Sequence, residues 1–290
     1  MAPYFPASWL KIGGEDAAEY LQGQVSNDLR RMGPRGIYTL ILDHKGKIQA
    51  DAFITRDGGE FWVGSVFVPP SVLRNRLEAF VVADDVTVED RTGAFAGIAV
   101  LGAGAGSLVD RARQEMGLPG FALDGRRCAE ENVEWIVPAD RREAALEWLR
   151  KQAPGPTSIL DEAELRRRRI RDGRVAVPAD AGPGDLPQEA GLGEDAVSYQ
   201  KGCYIGQEVM ARLKTRGRVR RRLRRVRGAG VPPPAGTAVF LGARRAGETR
   251  SAAEDGGGFM AWAMIAGDAP TEGGLRLGAE GRAELALVAD

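Results

Sequence analysis

The sequence predicts an α+β fold with a separate small β-barrel at the C-terminal end, and three observations carry that reading. Apolar, β-rich runs recur at Ile37 to Leu42, Ile48 to Ile54, Phe61 to Val68 and Phe95 to Leu101. Stretches of helical period lie between and after them, such as Arg141 to Lys151 and the segment following Gly206, where Ile205, Val209 and Leu213 recur every four residues. From Thr237 to Leu287 short β runs alternate with glycine-rich turns, the pattern of a small barrel. At 290 residues the chain has length for two or three compact units.

Taken in order, Ser8 to Ile12 reads as a strand, Gly13-Gly14 as a break and Glu15 to Leu21 as a short helix. Leu21 to Leu29, LQGQVSNDL, crowds amide and hydroxyl side chains around a glycine. Asp43 to Lys47 forms the loop of a hairpin and holds the only histidine, His44, expected to be solvated; Asp51 falls in the strand after it. Pro69-Pro70 ends the next strand, and Ser71 is expected to cap a helix with Val72, Leu73, Leu77 and Phe80 on one face. Val86 to Glu89 and Phe95 to Leu101 are further strands.

The stretch LGAGAGSLVDRARQEMG that follows has the order strand, glycines, helix, which invites a dinucleotide reading. Counting from Gly102 and Gly104, however, the third glycine of that fingerprint would be Ser107, so a glycine-rich turn before a helix is the better reading. Cys128 precedes the strand-like Val133 to Val137 and is expected to be inert, and Arg141 to Lys151 is a helix with Ala144, Ala145, Trp148 and Leu149 facing a core. Val177 to Leu186 is loop, and Pro232 to Pro234 is a stiff turn.

Composition narrows the function classes. The 40 basic and 40 acidic residues cancel, so no global field draws the chain to nucleic acid or an anionic membrane. Two cysteines, Cys128 and Cys203, give no disulfide framework; with a single histidine they argue against a mixed zinc site and against a four-cysteine iron-sulfur cluster, so no metal site is expected. Met1 to Pro6 lacks a secretory pattern and no eighteen apolar residues run together, so the chain reads as cytoplasmic and without a membrane partner. The basic run Thr215 to Gly228 suggests RNA through phosphate contacts, but it lacks aromatic residues for stacking on bases, which argues against direct nucleic-acid binding.

Chemistry centres on Gln200 to Arg216, QKGCYIGQEVMARLKTR. Cys203 sits just before the helix that starts after Gly206, where a thiol would feel the positive end of the helix dipole and the ammonium of Lys201. The string Lys201 to Glu208, KGCYIGQE, resembles the signature of the YgfZ family, folate-binding proteins that support iron-sulfur enzymes and are themselves similar to the T-protein of the glycine cleavage system, an aminomethyltransferase. LQGQVSND, GKIQADAFI and LPQEAGL (Leu186 to Leu192) resemble further segments of that superfamily.

The resemblance implies a T-protein-like body of two interleaved subdomains around a central channel, residues 1–214, and a C-terminal β-barrel domain, residues 215–290. It implies tetrahydrofolate or a derivative as cofactor, with Gln24, Asn27, Glu189, Tyr204, Gln207 and Glu208 as folate contacts and Cys203, Lys201 and Asp51 as the chemical residues. The implied role is assistance to iron-sulfur cluster assembly or repair, indirectly supporting tRNA modification, with folate and iron-sulfur client enzymes or assembly proteins as partners. Asp51 stands at the position of the transferase's catalytic aspartate, which leaves a folate-dependent aminomethyltransferase as an alternative. An RNA-binding module using Arg216 to Arg227 is another. Arg168 falls where the T-protein has a pterin-gripping glutamate, and a guanidinium cannot accept the bonds a pterin donates.

Overall fold

The computed structural model describes residues 1–269, 274–278 and 283–288. Two sheets form the body. The first part of the chain runs β1 (Ala2–Tyr4), β2 (Ser8–Gly13), α1 (Ala17–Gln24), β3 (Ile37–Leu42), β4 (Ile48–Asp57), β5 (Glu60–Ser65), α2 (Pro70–Glu78) and β6 (Thr87–Asp90). It continues with β7 (Phe95–Leu101), α3 (Ala105–Met116), β8 (Phe121–Asp124), β9 (Asn132–Pro138), α4 (Arg142–Gln152), α5 (Glu162–Arg171) and α6 (Gln207–Arg216). One sheet has the order β3-β4-β5-β2-β6 and the other β1-β7-β9-β8. Because β1 pairs with β7 while β2 pairs with β5, the two halves of the body interleave in sequence.

The sheets face each other across an aromatic layer in which Trp9, Phe53 and Trp62 of one meet Phe121, Leu123 and Ile136 of the other. Trp9 and Phe121 ring centroids are 5.5 Å apart, within the range of favourable tilted aromatic pairs. This layer explains Gly64 in β5, since a Cβ there would lie 2.0 Å from Trp9 Cε3. On its other side, the five-stranded sheet packs against α1, α2 and the segment from 170 to 210 in the largest apolar cluster. Helices α3 and α4 cover the four-stranded sheet through Val109, Ala112, Leu146 and Leu149.

The barrel closes in the order β10 (Arg221–Ala229), β13 (Gly258–Ala266), β12 (Arg244–Asp255), β11 (Ala238–Leu241), β14 (Leu275–Leu277) and β15 (Ala283–Leu287), with β15 returning to β10. Its interior holds Val226, Val239, Phe259, Ala261, Ala263 and Ile265. Outward-facing Met260 and Trp262 join the body's core instead, and Arg221 is paired across the same junction with buried Asp185 and Glu189. None of the helices among the described residues is long and apolar enough to cross a membrane. The side chain of Arg216, at the head of the basic run, lies outside the described residues.

Several local expectations change. Ser71 is not the cap of α2: Pro69 holds that position and Pro70 the first turn, where a missing N–H costs nothing. Val72 and Phe80 are exposed, while Leu73 and Leu77 are buried. In α4 the buried set is Ala145, Leu146 and Leu149 rather than one including Ala144. The glycine turn before α3 is filled from within, because Glu131 accepts the N–H groups of Gly104 and Gly106 at 2.8 Å each, occupying the place an anionic ligand would take.

Candidate functional site

Asp51 lies on β4, opposite Leu40 of β3. It is 6% exposed, a carboxylate in an otherwise apolar strand interior. Tyr38 Oη donates to one oxygen at 3.0 Å and Ser65 Oγ to the other at 2.6 Å. Burial raises the Asp51 pKa, with the Ser65 and Tyr38 hydrogen bonds and the charge of Arg126 opposing it. The opposite sheet answers with Glu134 on β9, paired with Arg127 at 2.6 Å, both buried. Arg126 stacks over Tyr38, 4.2 Å from the ring centroid, and is held by Asp195 at 3.0 Å.

These groups enclose a small inner chamber of about 20 Å³, lined by Asp51, Tyr38, Arg126, Glu134 and neighbours. That is room for about one water. Beyond it an outer chamber of about 600 Å³ opens between α5 and the barrel, walled by Leu165, Ala179 and Pro232 to Pro234 and carrying Arg166 and Arg250. Phe67, Arg127, Arg169 and Ala176 line both chambers. The outer volume is of the size that holds a drug-sized ligand, and an apolar wall with several guanidinium groups suits a flat ring bearing an anionic tail. A reduced folate has that form, so the residues present fit it in the outer chamber.

Cys203 is elsewhere. The thiol is free and exposed, on a cleft of about 740 Å³ with Gln22, Leu29, Arg30, Arg56 and Phe61. This cleft shares no lining residue with the Asp51 chambers. The helix after Cys203 forms as the spacing predicts, with Gly206 as its N-cap. Lys201 is buried, and its Nζ donates to the carbonyls of Gln22, Val25 and Asn27 at 2.6, 2.8 and 2.8 Å. Burial lowers its pKa to about 8, while three carbonyl acceptors favour the ammonium. Its donors are thus committed to residues 22–27, the end of α1 and the turn after it. Ser198 N–H and Ile205 N–H bond the same segment at the Ser26 and Gly23 carbonyls, so the two motifs singled out in the sequence are stitched together.

Asn27 belongs to that seam: its Nδ2 donates to the carbonyls of Tyr38 and Asp195, at 2.9 and 3.2 Å. Gln24 accepts from Arg76 at 3.1 Å, and Tyr204 lies buried with Lys201 Nζ 5.0 Å from its ring centroid; burial raises its phenol pKa. Gln207 donates to the Lys201 carbonyl, whereas Glu208 is solvent-exposed and pairs with Arg212 one turn on. Glu189 is buried against Arg221 and caps Leu186 N–H. None of these six lines the Asp51 chambers. Arg168 pairs with Glu164 and lines a cleft by Met1 and the glycine turn; Arg169, about 100° further round α5, is the one that faces the channel. Sequence reasoning passed over Tyr38, Ser65, Phe67, Arg126, Arg127, Glu134 and Arg169. One signal was available for Glu134, a lone carboxylate inside the apolar run NVEWIVP.

Residues 7–134 match the family model described as the GCVT N-terminal domain. The tRNA-modifying protein YgfZ of Escherichia fergusonii is 29% identical over 222 residues, covering 73% of this chain and 67% of its own. YgfZ of Shigella dysenteriae matches to the same extent. The chain is thus similar to YgfZ proteins over about three quarters of its length. Its fold is that of the T-protein: the glycine cleavage system aminomethyltransferase T from Bartonella henselae superposes with a TM-score of 0.79 at 18% identity, over 100% of this chain and 85% of that one. The motif KGCYIGQE is therefore set on a T-protein-like fold, with its cysteine on a cleft apart from the Asp51 chambers.

Proposed function

We propose that the chain binds a tetrahydrofolate in the channel between body and barrel, and that it assists iron-sulfur cluster assembly or repair through Cys203, thereby supporting tRNA modification. The observation that carries the reading is the channel itself: a buried, doubly hydrogen-bonded carboxylate at one end and a chamber of about 600 Å³ with apolar walls and arginines at the other. Curated relatives called tRNA-modifying proteins support the link to tRNA. A reduced folate supplies a one-carbon carrier. The chain's own residues bind and orient it, Arg166 and Arg250 matching an anionic tail and the Pro232 to Pro234 wall a flat ring.

The exposed thiol serves partners too large for the channel. Cys203 opens on a cleft with Arg30 and Arg56 at its border, so an incoming iron-sulfur protein or cluster reaches sulfur directly. Titration calorimetry with tetrahydrofolate is the test of the binding half, and absence of heat at millimolar ligand would remove it. For the other half, Cys203→Ala is expected to lose rescue of iron-sulfur enzyme activity in cells lacking the protein, with folate affinity unchanged. Asp51 in the channel keeps a second reading in view, aminomethyl transfer; transfer from a carrier protein, abolished by Asp51→Asn, would establish it.

A further inference from the structure

The channel is divided, and the dividing residues differ in freedom. Of the four that line both chambers, Arg127 is locked: its guanidinium pairs with buried Glu134 at 2.6 Å and stacks on Tyr4 with 4.6 Å to the centroid, and its backbone N–H donates to Asn132 Oδ1 at 2.9 Å. Arg169 is locked by Asp180, by Ser251 Oγ at 2.8 Å and by the Arg174 carbonyl at 3.0 Å. Ala176 has no side-chain torsion. Phe67 is left, 42% exposed, with the Arg127 guanidinium 5.7 Å from its ring centroid.

The backbone under Phe67 is held while its ring is partly exposed. Ser65 Oγ accepts the N–H groups of Phe67 and Val68 at 3.3 and 3.1 Å while donating to Asp51 at 2.6 Å. The hinge of the side chain is therefore fixed relative to the carboxylate, and rotation about χ1 would shift the ring, which lines both cavities, without moving the loop. An exposed ring exchanges rotamers quickly and at small cost.

We infer that Phe67 is the specificity-determining partition of the channel: with its ring in place the inner chamber admits about one water, and only a ligand whose head displaces the ring reaches Asp51. This rests on the folate reading for the identity of the ligand but not for the existence of the partition. A molecule with a ring and an anionic tail but no second fused ring stays in the outer chamber against the Pro232 to Pro234 wall. A pteridine-bearing one must turn Phe67 aside. Discrimination then lies in the cost of moving one side chain, and the depth reached decides whether Asp51 takes part.

The test needs a readout without folate. In a Cys203→Ser background, where the remaining native cysteine, Cys128, is buried, Asp51→Cys places a thiol in the inner chamber and iodoacetamide reports its access. Phe67→Ala is expected to raise the labelling rate at least tenfold, and Phe67→Leu less. Equal rates in all three would overturn the partition. On the otherwise native chain, Phe67→Ala should speed association of tetrahydrofolate while leaving that of p-aminobenzoylglutamate unchanged; equal acceleration of both, or of neither, would also overturn it. Faster labelling in a protein that binds no folate would instead uphold the partition and dismiss the folate reading.

Discussion

Asp51 shows how one side chain can be committed by its surroundings. Two hydroxyls donate to it, and burial still raises its pKa above the ordinary 3.8, because removing a carboxylate from water costs more than two neutral donors return. A group whose folded pKa is raised contributes stability that is present below its unfolded value and lost as pH rises through the folded one. Asn at the same place has no such loss. The melting temperature of Asp51→Asn minus that of the native chain should therefore be more positive at pH 7 than at pH 4, and a difference independent of pH would contradict the assignment. The same carboxylate was visible in the sequence as a charge inside a β run. Its partners were not, since Tyr38 and Ser65 are contributed by β3 and β5 and meet it only once the sheet is paired.

Between elements, the decisive contact is the seam of Lys201 with residues 22–27 at the end of α1. Local sequence places Lys201 two residues from Cys203 and suggests an electrostatic effect on the thiol; the tertiary contact shows an ammonium serving as a three-way tie between segments nearly 180 residues apart. Removing the donor leaves carbonyls without partners in a buried site, which costs on the order of 3 kcal/mol in total. Lys201→Met should lower the urea midpoint correspondingly and release the strand of chain that presents Cys203, detected as faster amide exchange over residues 198–206. Unchanged exchange there would show that the backbone bonds of Ser198 and Ile205 suffice alone. The glycine turn before α3 makes the complementary point: its motif was readable as a turn, but Glu131 in the space a ligand would need comes from a distant loop.

At the scale of the molecule, the channel exists because the barrel is held against the body, and that junction is polar as well as apolar. Arg221 bridges Asp185 and Glu189, both nearly fully buried, while Arg250 and Lys47 approach the same pair. Arg221→Ala would leave two buried carboxylates short of a partner, at a cost of about 2 kcal/mol for a bridge whose cation is partly solvated. The barrel should then loosen, seen as faster tryptic cleavage between residues 214 and 225 and weaker folate binding. Equal cleavage rates would place the strength of the junction in Trp262 and Met260 instead.

The sequence by itself determined the α+β body, the barrel, the family motif and the helix behind Cys203, because strand and helix period, turn glycines and an eight-residue string are local properties of a chain. It singled out Asp51 and Cys203 as chemistry, and could not say that they open on different cavities. That was decided by tertiary structure alone. Which side of a strand faces the partner sheet, which arginine of a run turns inward on α5, and whether two motifs meet through a lysine all depend on contacts between residues far apart in the chain.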